Sequence, residues 1–208
     1  MIIKICGITS IAVAQAAKEA GADLLGFVFA ESKRQIPVKE AIKIGQQVKG
    51  IGKVGVFVNK SLQEVQEIAQ CCKLDFVQLH GEESPEYCRL VGRPIIKAFR
   101  VGPEFVIERC KEYPVSWMLL DSFSPGQYGG TGKTFDWQSM KSLSRQVTLP
   151  VMVAGGLTPE NIALAIQTMT PKGIDVSGGV ETNGNKDLDK IQQFIIAARK
   201  AERGNVTC

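Results

Sequence analysis

Short apolar runs recur along the 208-residue chain at a spacing of roughly 25 residues. Each run is about five or six residues long and rich in Ile, Val, Leu or Phe, which is typical of strands buried on both faces of a parallel sheet. Helical patterns lie between most of the runs, so the chain is predicted to alternate strands and helices. The runs cover residues 2–6, 24–29, 53–58, 75–80, 94–99, 117–121, 150–155 and 173–178.

Helix-start signals support the same alternation. An Ala-rich segment over residues 10–20 ends at Gly21, and Ser61 with Glu64 makes a capping box before an apolar-periodic stretch. Two other segments place a cap residue before a proline at the first helical position. These segments are Ser84-Pro85-Glu86 and Thr158-Pro159-Glu160; Asp136 and the segment 187–202 begin two more helices, and the weakest helical pattern covers 103–112.

Eight strands that alternate with helices predict an α/β fold, a single-domain (β/α)8 TIM barrel over residues 1–208. The chain shows no linker, low-complexity stretch or second composition regime, so we expect one domain. Its length is small for this barrel, so several helices must be short. A doubly wound open sheet is the alternative fold with the same rhythm.

Net charge and residue composition argue against several classes of function. The net charge of +4 is mild and the basic residues are scattered, which argues against nucleic-acid binding and suits a small anionic substrate. One histidine and six cysteines without Cys-x-x-Cys spacing predict no metal site. Lys4, Thr9 and Ser10 interrupt the N-terminal apolar segment, and no run is long enough for a bilayer. We therefore expect a cytoplasmic protein without a membrane partner.

The stretch SPGQYGGTGKTFDW, residues 124–137, has the ingredients of a nucleotide-binding P-loop. That motif needs a glycine five positions before Gly132-Lys133, and Gln127 stands there instead. The spacing therefore argues against an NTPase. We interpret the segment as a mobile loop that closes over another anionic ligand, with Gly130 in its backbone and Lys133 near the negative charge. A flexible turn without a ligand is the alternative.

In a barrel, function is expected at the carboxyl ends of the strands. Two glycine pairs lie there, in AGG (154–156) and SGG (177–179), after the seventh and eighth strands. Glycine lets backbone N–H groups approach a ligand closely, and loops at these two places commonly hold a phosphate. Ordinary tight turns, which also favour glycine, are the alternative interpretation.

Four side chains near the strand ends are candidates for catalysis or substrate binding. Cys6 ends the first strand and is a candidate base or nucleophile, although a lone cysteine is more often a buried apolar residue. Asp121 ends the sixth strand and is a candidate acid, or merely a turn cap. Arg34 is a candidate carboxylate ligand, or a surface residue. His80 is either a ligand contact or a hydrogen-bonded residue of the barrel.

Eight segments carry a resemblance to a known family. In their order along residues 2–200, they resemble segments of phosphoribosylanthranilate isomerases. The motifs KICGIT and GGTGKTFDW, in that order, are highly specific for this family. The segments are KICGIT (4–9), GFVF…SKR (26–34), VGVFVN (54–59), VQLHGEE (77–83), LLDS (119–122), YGGTGKTFDW (128–137), AGGLTPENI (154–162) and IDVSGGVE (174–181).

The resemblance implies a (β/α)8 barrel that catalyses the Amadori rearrangement of N-(5-phosphoribosyl)anthranilate in tryptophan biosynthesis, without a cofactor. It implies that Cys6 is the general base, Asp121 the general acid and Arg34 the ligand of the anthranilate carboxylate. It places the phosphate on backbone amides around Gly155, Gly156, Ser177, Gly178 and Gly179. The loop AESKR is about one residue shorter than the family form known to us. Both a monomer and a homodimer remain open, as does isomerisation of a related aminoimidazole substrate.

Overall fold

A computed structural model of the chain describes residues 1–102, 105–122, 136–144 and 146–204. Eight parallel strands pair in sequence order, and the eighth pairs with the first, so the sheet closes. The predicted (β/α)8 barrel is confirmed, and the open sheet is wrong. The strands are β1 (Ile2–Cys6), β2 (Leu24–Val28), β3 (Gly52–Phe57), β4 (Phe76–Leu79), β5 (Ile95–Val101), β6 (Trp117–Ser122), β7 (Val151–Val153) and β8 (Gly173–Val176).

Alternate residues of each strand face opposite sides of the barrel wall. The outward residues, such as Ile3 and Phe27, pack with the helices in the main apolar core. The inward residues form a separate apolar cluster that includes Leu24, Val54 and Leu119. This cluster packs in the barrel interior, which is therefore a packed core rather than an open channel.

The helices follow the strands as the sequence signals predict. Ser10 accepts a hydrogen bond from the Val13 amide at the start of the first helix, and Gly21 ends it in the left-handed conformation. The Ser61–Glu64 capping box is present. The helices are α1 (Ile11–Ala20), α2 (Val38–Gln47), α3 (Leu62–Cys71), α4 (Pro85–Leu90), α5 (Trp137–Ser144), α6 (Ile162–Met169) and α7 (Leu188–Gly204).

Two connections differ from the simple repeat. Between β5 and β6 a 3-10 helix covers Ile107–Glu112, in the segment with the weakest helical pattern. After β8, a 3-10 turn at Gly178–Val180 leads into a short antiparallel pair, β9 (Glu181–Thr182) and β10 (Asn185–Lys186).

The predicted start of α6 at Pro159 is wrong, because the helix begins at Ile162. The Asn161 side chain accepts a hydrogen bond from the Thr158 amide and donates one to the Gly156 carbonyl. These bonds hold residues 158–161 in a turn rather than a helix. Within the described part of the chain, every helix falls short of the length and apolar character needed to cross a membrane.

Candidate active site

A cavity of about 870 Å³ opens at the carboxyl ends of the strands. It is lined by residues of β1, β2, β3, β4, β6 and β8 and by the segments that follow β2, β3, β4, β7 and β8. Gly130 and Lys133, the two loop residues of the predicted site, lie outside the described residues. The other predicted residues all line this cavity: Cys6, Arg34, His80, Asp121, Gly155, Gly156, Ser177, Gly178 and Gly179.

Cys6 is buried at the end of β1, and its surroundings have opposing effects on the pKa of its thiol. Burial raises the pKa of the Cys6 thiol, and the nearby ammonium groups of Lys4 and Lys186 lower it in part. The net effect is a raised pKa, so the empty site favours the thiol. A catalytic base must lose this proton, and the nearby ammonium groups favour that loss.

Lys4 lies two residues before Cys6 on the same face of β1, inside the barrel. Its Nζ donates a hydrogen bond of 2.9 Å to Asp175 Oδ1 on β8, and both side chains are buried. Although burial disfavours the charge, Asp175 and Cys6 raise the pKa of Lys4, which therefore stays cationic. Sequence reasoning missed this pair; the period-2 alternation that turns Cys6 inward was the available signal.

Asp121, at the end of β6, accepts two hydrogen bonds, one on each carboxyl oxygen. The Ser122 amide donates to Oδ1 at 2.8 Å, and His80 Nε2 lies 3.2 Å from Oδ2. On the other side of the ring, Gln78 Nε2 donates to His80 Nδ1 at 3.0 Å. Since Nδ1 accepts, the ring proton of neutral His80 is on Nε2 and is donated to Asp121. This pattern fits an ionised carboxylate.

Arg34 reaches the cavity despite its shorter loop, and it is already paired. Its Nε and Nη2 donate to the two oxygens of Glu181 at 2.6 and 3.0 Å. Lys186 donates to Glu181 Oε1 at 2.7 Å. Although burial opposes ionisation, the hydrogen bonds from Arg34 and Lys186 hold the pKa of Glu181 at about 2. Sequence reasoning quoted Glu181 within a motif but assigned it no role.

The turns after β7 and β8 present backbone donors to the cavity. Within the described residues, the N–H groups of Gly155, Gly156, Gly178 and Gly179 donate to no protein acceptor. At Gly155 and Gly179 the surrounding atoms leave no room for a side chain, so both positions require glycine. A Cβ on Gly179 would collide with the Leu157 carbonyl, and Gly155 has φ +82° and approaches the Asp121 carboxyl group. The cavity therefore places four backbone donors, a geometry that can bind an anion, beside the buried side chains of Cys6 and Asp121.

A family model and a curated relative identify the same family. A family model described as N-(5'phosphoribosyl)anthranilate (PRA) isomerase matches residues 3–197. The N-(5'-phosphoribosyl)anthranilate isomerase of Desulforudis audaxviator is 50% identical, with 96% of this chain and 98% of the relative covered.

Solved structures give the same result. The dimeric phosphoribosylanthranilate isomerase of Thermotoga maritima, in a structure of its monomers, superposes with a TM-score of 0.84 at 38% identity, covering 96% of this chain and 100% of that one. A phosphoribosylanthranilate isomerase in complex with reduced 1-(o-carboxyphenylamino)-1-deoxyribulose 5-phosphate superposes with a TM-score of 0.84 at 37% identity, with the same coverage.

Proposed function

The chain belongs to the N-(5'-phosphoribosyl)anthranilate isomerase family, and from this premise we propose that Cys6 and Asp121 are the base and acid of its reaction. The reaction converts N-(5-phosphoribosyl)anthranilate to 1-(2-carboxyphenylamino)-1-deoxyribulose 5-phosphate in tryptophan biosynthesis, an aldose–ketose isomerisation. The observation that carries the assignment is that both side chains line one cavity, beside the amide cradle.

The chemistry needs one proton donor and one acceptor. Asp121 gives its proton to the ribose ring oxygen, the C1–O bond breaks, and the nitrogen lone pair forms a Schiff base. The Cys6 thiolate then removes the proton from C2, and the electrons of that C–H bond move to the nitrogen to give an enolamine. Tautomerisation of the enolamine gives the ketose product, so the two protons are redistributed and no redox partner is consumed.

Lys4 supports the thiolate that this step requires. Its ammonium group lies beside Cys6, in a site where burial opposes ionisation of the thiol. A fixed positive charge next to a thiolate is the usual way in which proteins make a cysteine reactive. Asp175 holds that charge in place across the β1–β8 seam.

The phosphate fits the free amides of the turns after β7 and β8. An anion bound by four backbone donors is fixed in position without a mobile side chain. With the phosphate held there, the sugar reaches towards Cys6 and Asp121, which line the same cavity. Fixing the phosphate end of the substrate in this way lowers the entropy cost of the reaction.

We expect Gly155→Ala to abolish most of the isomerase activity. At φ +82° a Cβ would lie 2.6 Å from both Asp121 Oδ1 and the Ser122 amide nitrogen. Displacing the acid by a fraction of an ångström should lower kcat by about tenfold or more. The control is Gly92→Ala, because Gly92 has φ +70° and open space around it. Both variants should lose about 1–3 kcal/mol of stability from backbone strain, and equal activity in the two would contradict the role of Gly155.

The carboxylate of the substrate is assigned to Arg34. Glu181 occupies the Nε–Nη2 edge of the guanidinium, which leaves the Nη1 donors for a ligand. We expect Arg34→Ala to lower kcat/KM about tenfold or more, mainly through KM, because a charged hydrogen bond of about 1.5–3 kcal/mol is lost. Loss of substrate fluorescence measures the rate. Arg89→Ala, which breaks an exposed pair with Glu86, is the control, and identical kinetics for both would remove Arg34 from the site.

A further inference from the structure

Gln78 on β4 carries a buried polar atom that has no hydrogen-bond partner in the described part of the chain. The residue is 1% exposed and lines the cavity below His80. Its Nε2 donates to His80 Nδ1, whereas its Oε1 has no hydrogen-bond partner among the described residues. A buried acceptor without a partner is costly, so a native protein that keeps one needs a reason.

The reason lies in the protons that the reaction moves. In the empty site the hydrogen bonds fit ionised Asp121, and the Cys6 thiol keeps its proton. This inference rests on the proposed roles, under which ring opening needs the reverse: a proton on the Asp121 side and none on Cys6. The His80–Asp121 pair must therefore gain one proton before the first step.

When the His80–Asp121 pair gains a proton, the hydrogen bond between His80 Nδ1 and the Gln78 side chain must change direction. If Asp121 Oδ2 carries the proton and donates it to His80 Nε2, the ring proton must be on Nδ1. If the ring becomes imidazolium, Nδ1 also carries a proton. In both cases Nδ1 turns from acceptor to donor, and the Gln78 amide that now donates to it would clash as a second donor.

We propose that Gln78 is a positioning residue whose side-chain amide rotates by half a turn to serve both protonation states of the His80–Asp121 pair. In the ionised state Nε2 donates to Nδ1, as observed. In the protonated state the free Oε1 accepts from Nδ1–H. The amide is suited to this because its two ends have the same shape and opposite hydrogen-bonding character. The unpartnered Oε1 is thus the acceptor of the second state.

Charged groups on the neighbouring strands are held in ion pairs of their own. On β5, which lies between β4 and β6, Lys97 is paired with Glu83 and Arg100 with Glu82. On β1 and β8, the pair of Lys4 and Asp175 lies beside Cys6, and Lys186 is bound to Glu181. The Gln78 amide is neutral and contacts the ring directly, so it can change its hydrogen bond without moving a charge.

The chain has one histidine, which makes the proposal directly observable. Nitrogen-15 NMR of protein labelled in histidine reports only His80, and it shows which ring nitrogen carries the proton at each pH. We expect the Nε2–H form at alkaline pH and protonated Nδ1 after the pair has gained its proton. An Nδ1–H form at alkaline pH would mean that Gln78 is already rotated there, and would overturn the proposal.

Two substitutions predict titration shifts of opposite sign. In Gln78→Met the side chain can no longer accept a hydrogen bond from Nδ1–H, which destabilises the protonated state of the His80–Asp121 pair more than its ionised state. The pH midpoint at which the pair gains its proton should therefore fall by about one unit. Gln78→Glu supplies an acceptor in place of the amide donor, so the midpoint should rise. Gln63→Met, at an exposed glutamine of α3, is the control and should not move it. A Gln78→Met midpoint equal to wild type, or shifts of the same sign in both variants, would overturn the proposal.

Kinetics separate this inference from the acid role of Asp121. Because the acid must hold its proton, kcat falls as pH rises through the titration of the pair, and Gln78→Met should move that fall to lower pH with KM within about threefold. A raised KM with an unmoved pH profile would place Gln78 on the substrate and overturn the positioning role. An NMR shift without a kinetic shift would leave the amide rotation standing and refute Asp121 as the acid.

Discussion

Cys6→Ser is expected to lower kcat by about 10²- to 10⁴-fold while the protein stays folded, the usual contribution of a general base. The hydroxyl has nearly the same shape as the thiol, but its proton is far harder to remove. Cys88→Ser is the matched control, because Cys88 is a buried cysteine on α4 outside the cavity. A Cys6→Ser rate within about threefold of the Cys88→Ser rate would refute the assignment.

The role of Cys6 as a base also predicts the direction in which the rate changes with pH. A base must lose its proton, so the rate rises with pH as the Cys6 thiol ionises, and burial shifts that rise to higher pH by raising the thiol pKa. The ammonium groups of Lys4 and Lys186 limit the shift. In Cys6→Ser the rising limb should disappear from the measurable range, whereas a merely structural cysteine would leave the limb in place.

Asp121→Asn should have an effect of similar size, about 10²- to 10⁴-fold in kcat, because an amide cannot give a proton to the ring oxygen. The fold should tolerate the change. The Asn oxygen can accept from the Ser122 amide. Its NH2 group can donate to His80 Nε2 once the ring proton is on Nδ1 and the rotated Gln78 amide accepts it. Circular dichroism and thermal unfolding check that structure is retained.

Asp75→Asn is the control for Asp121→Asn. Asp75 also accepts a backbone hydrogen bond, from the Lys53 amide, but at the opposite end of the barrel. Its variant should keep wild-type activity. If Asp121→Asn turned over substrate at the rate of Asp75→Asn, ring opening would require a different acid, and the hydrogen bond from His80 would be structural only.

Much of this protein follows from local patterns in the chain. The apolar rhythm predicts the barrel because a strand buried on both faces must be apolar throughout, whatever its neighbours. The Ser61–Glu64 pair predicts a helix start because a cap acts within one turn. The position of the site also follows, because parallel strands bring all their carboxyl ends to one rim. Cys6 and Asp121 are identifiable as candidates for that reason.

The start of α6 shows where local patterns stop being sufficient. Thr158-Pro159-Glu160 has the composition of a helix start, but Asn161 and Gly156 close a turn there. That turn is part of the loop that shapes the cavity after β7. The preference of Thr158-Pro159-Glu160 for a helix start is overridden by the two hydrogen bonds of the Asn161 side chain, which the helix-start pattern does not include.

The sequence by itself determined the barrel, its open end and the residue types at that end, since these depend on periodicity and on strand direction. Only the tertiary structure decided how protons and charges are distributed among them. Lys4 meets Asp175 across 171 positions, Arg34 meets Glu181 across 147, and His80 meets Asp121 across 41. Protonation depends on burial and on the group in contact, and closure of the sheet sets both.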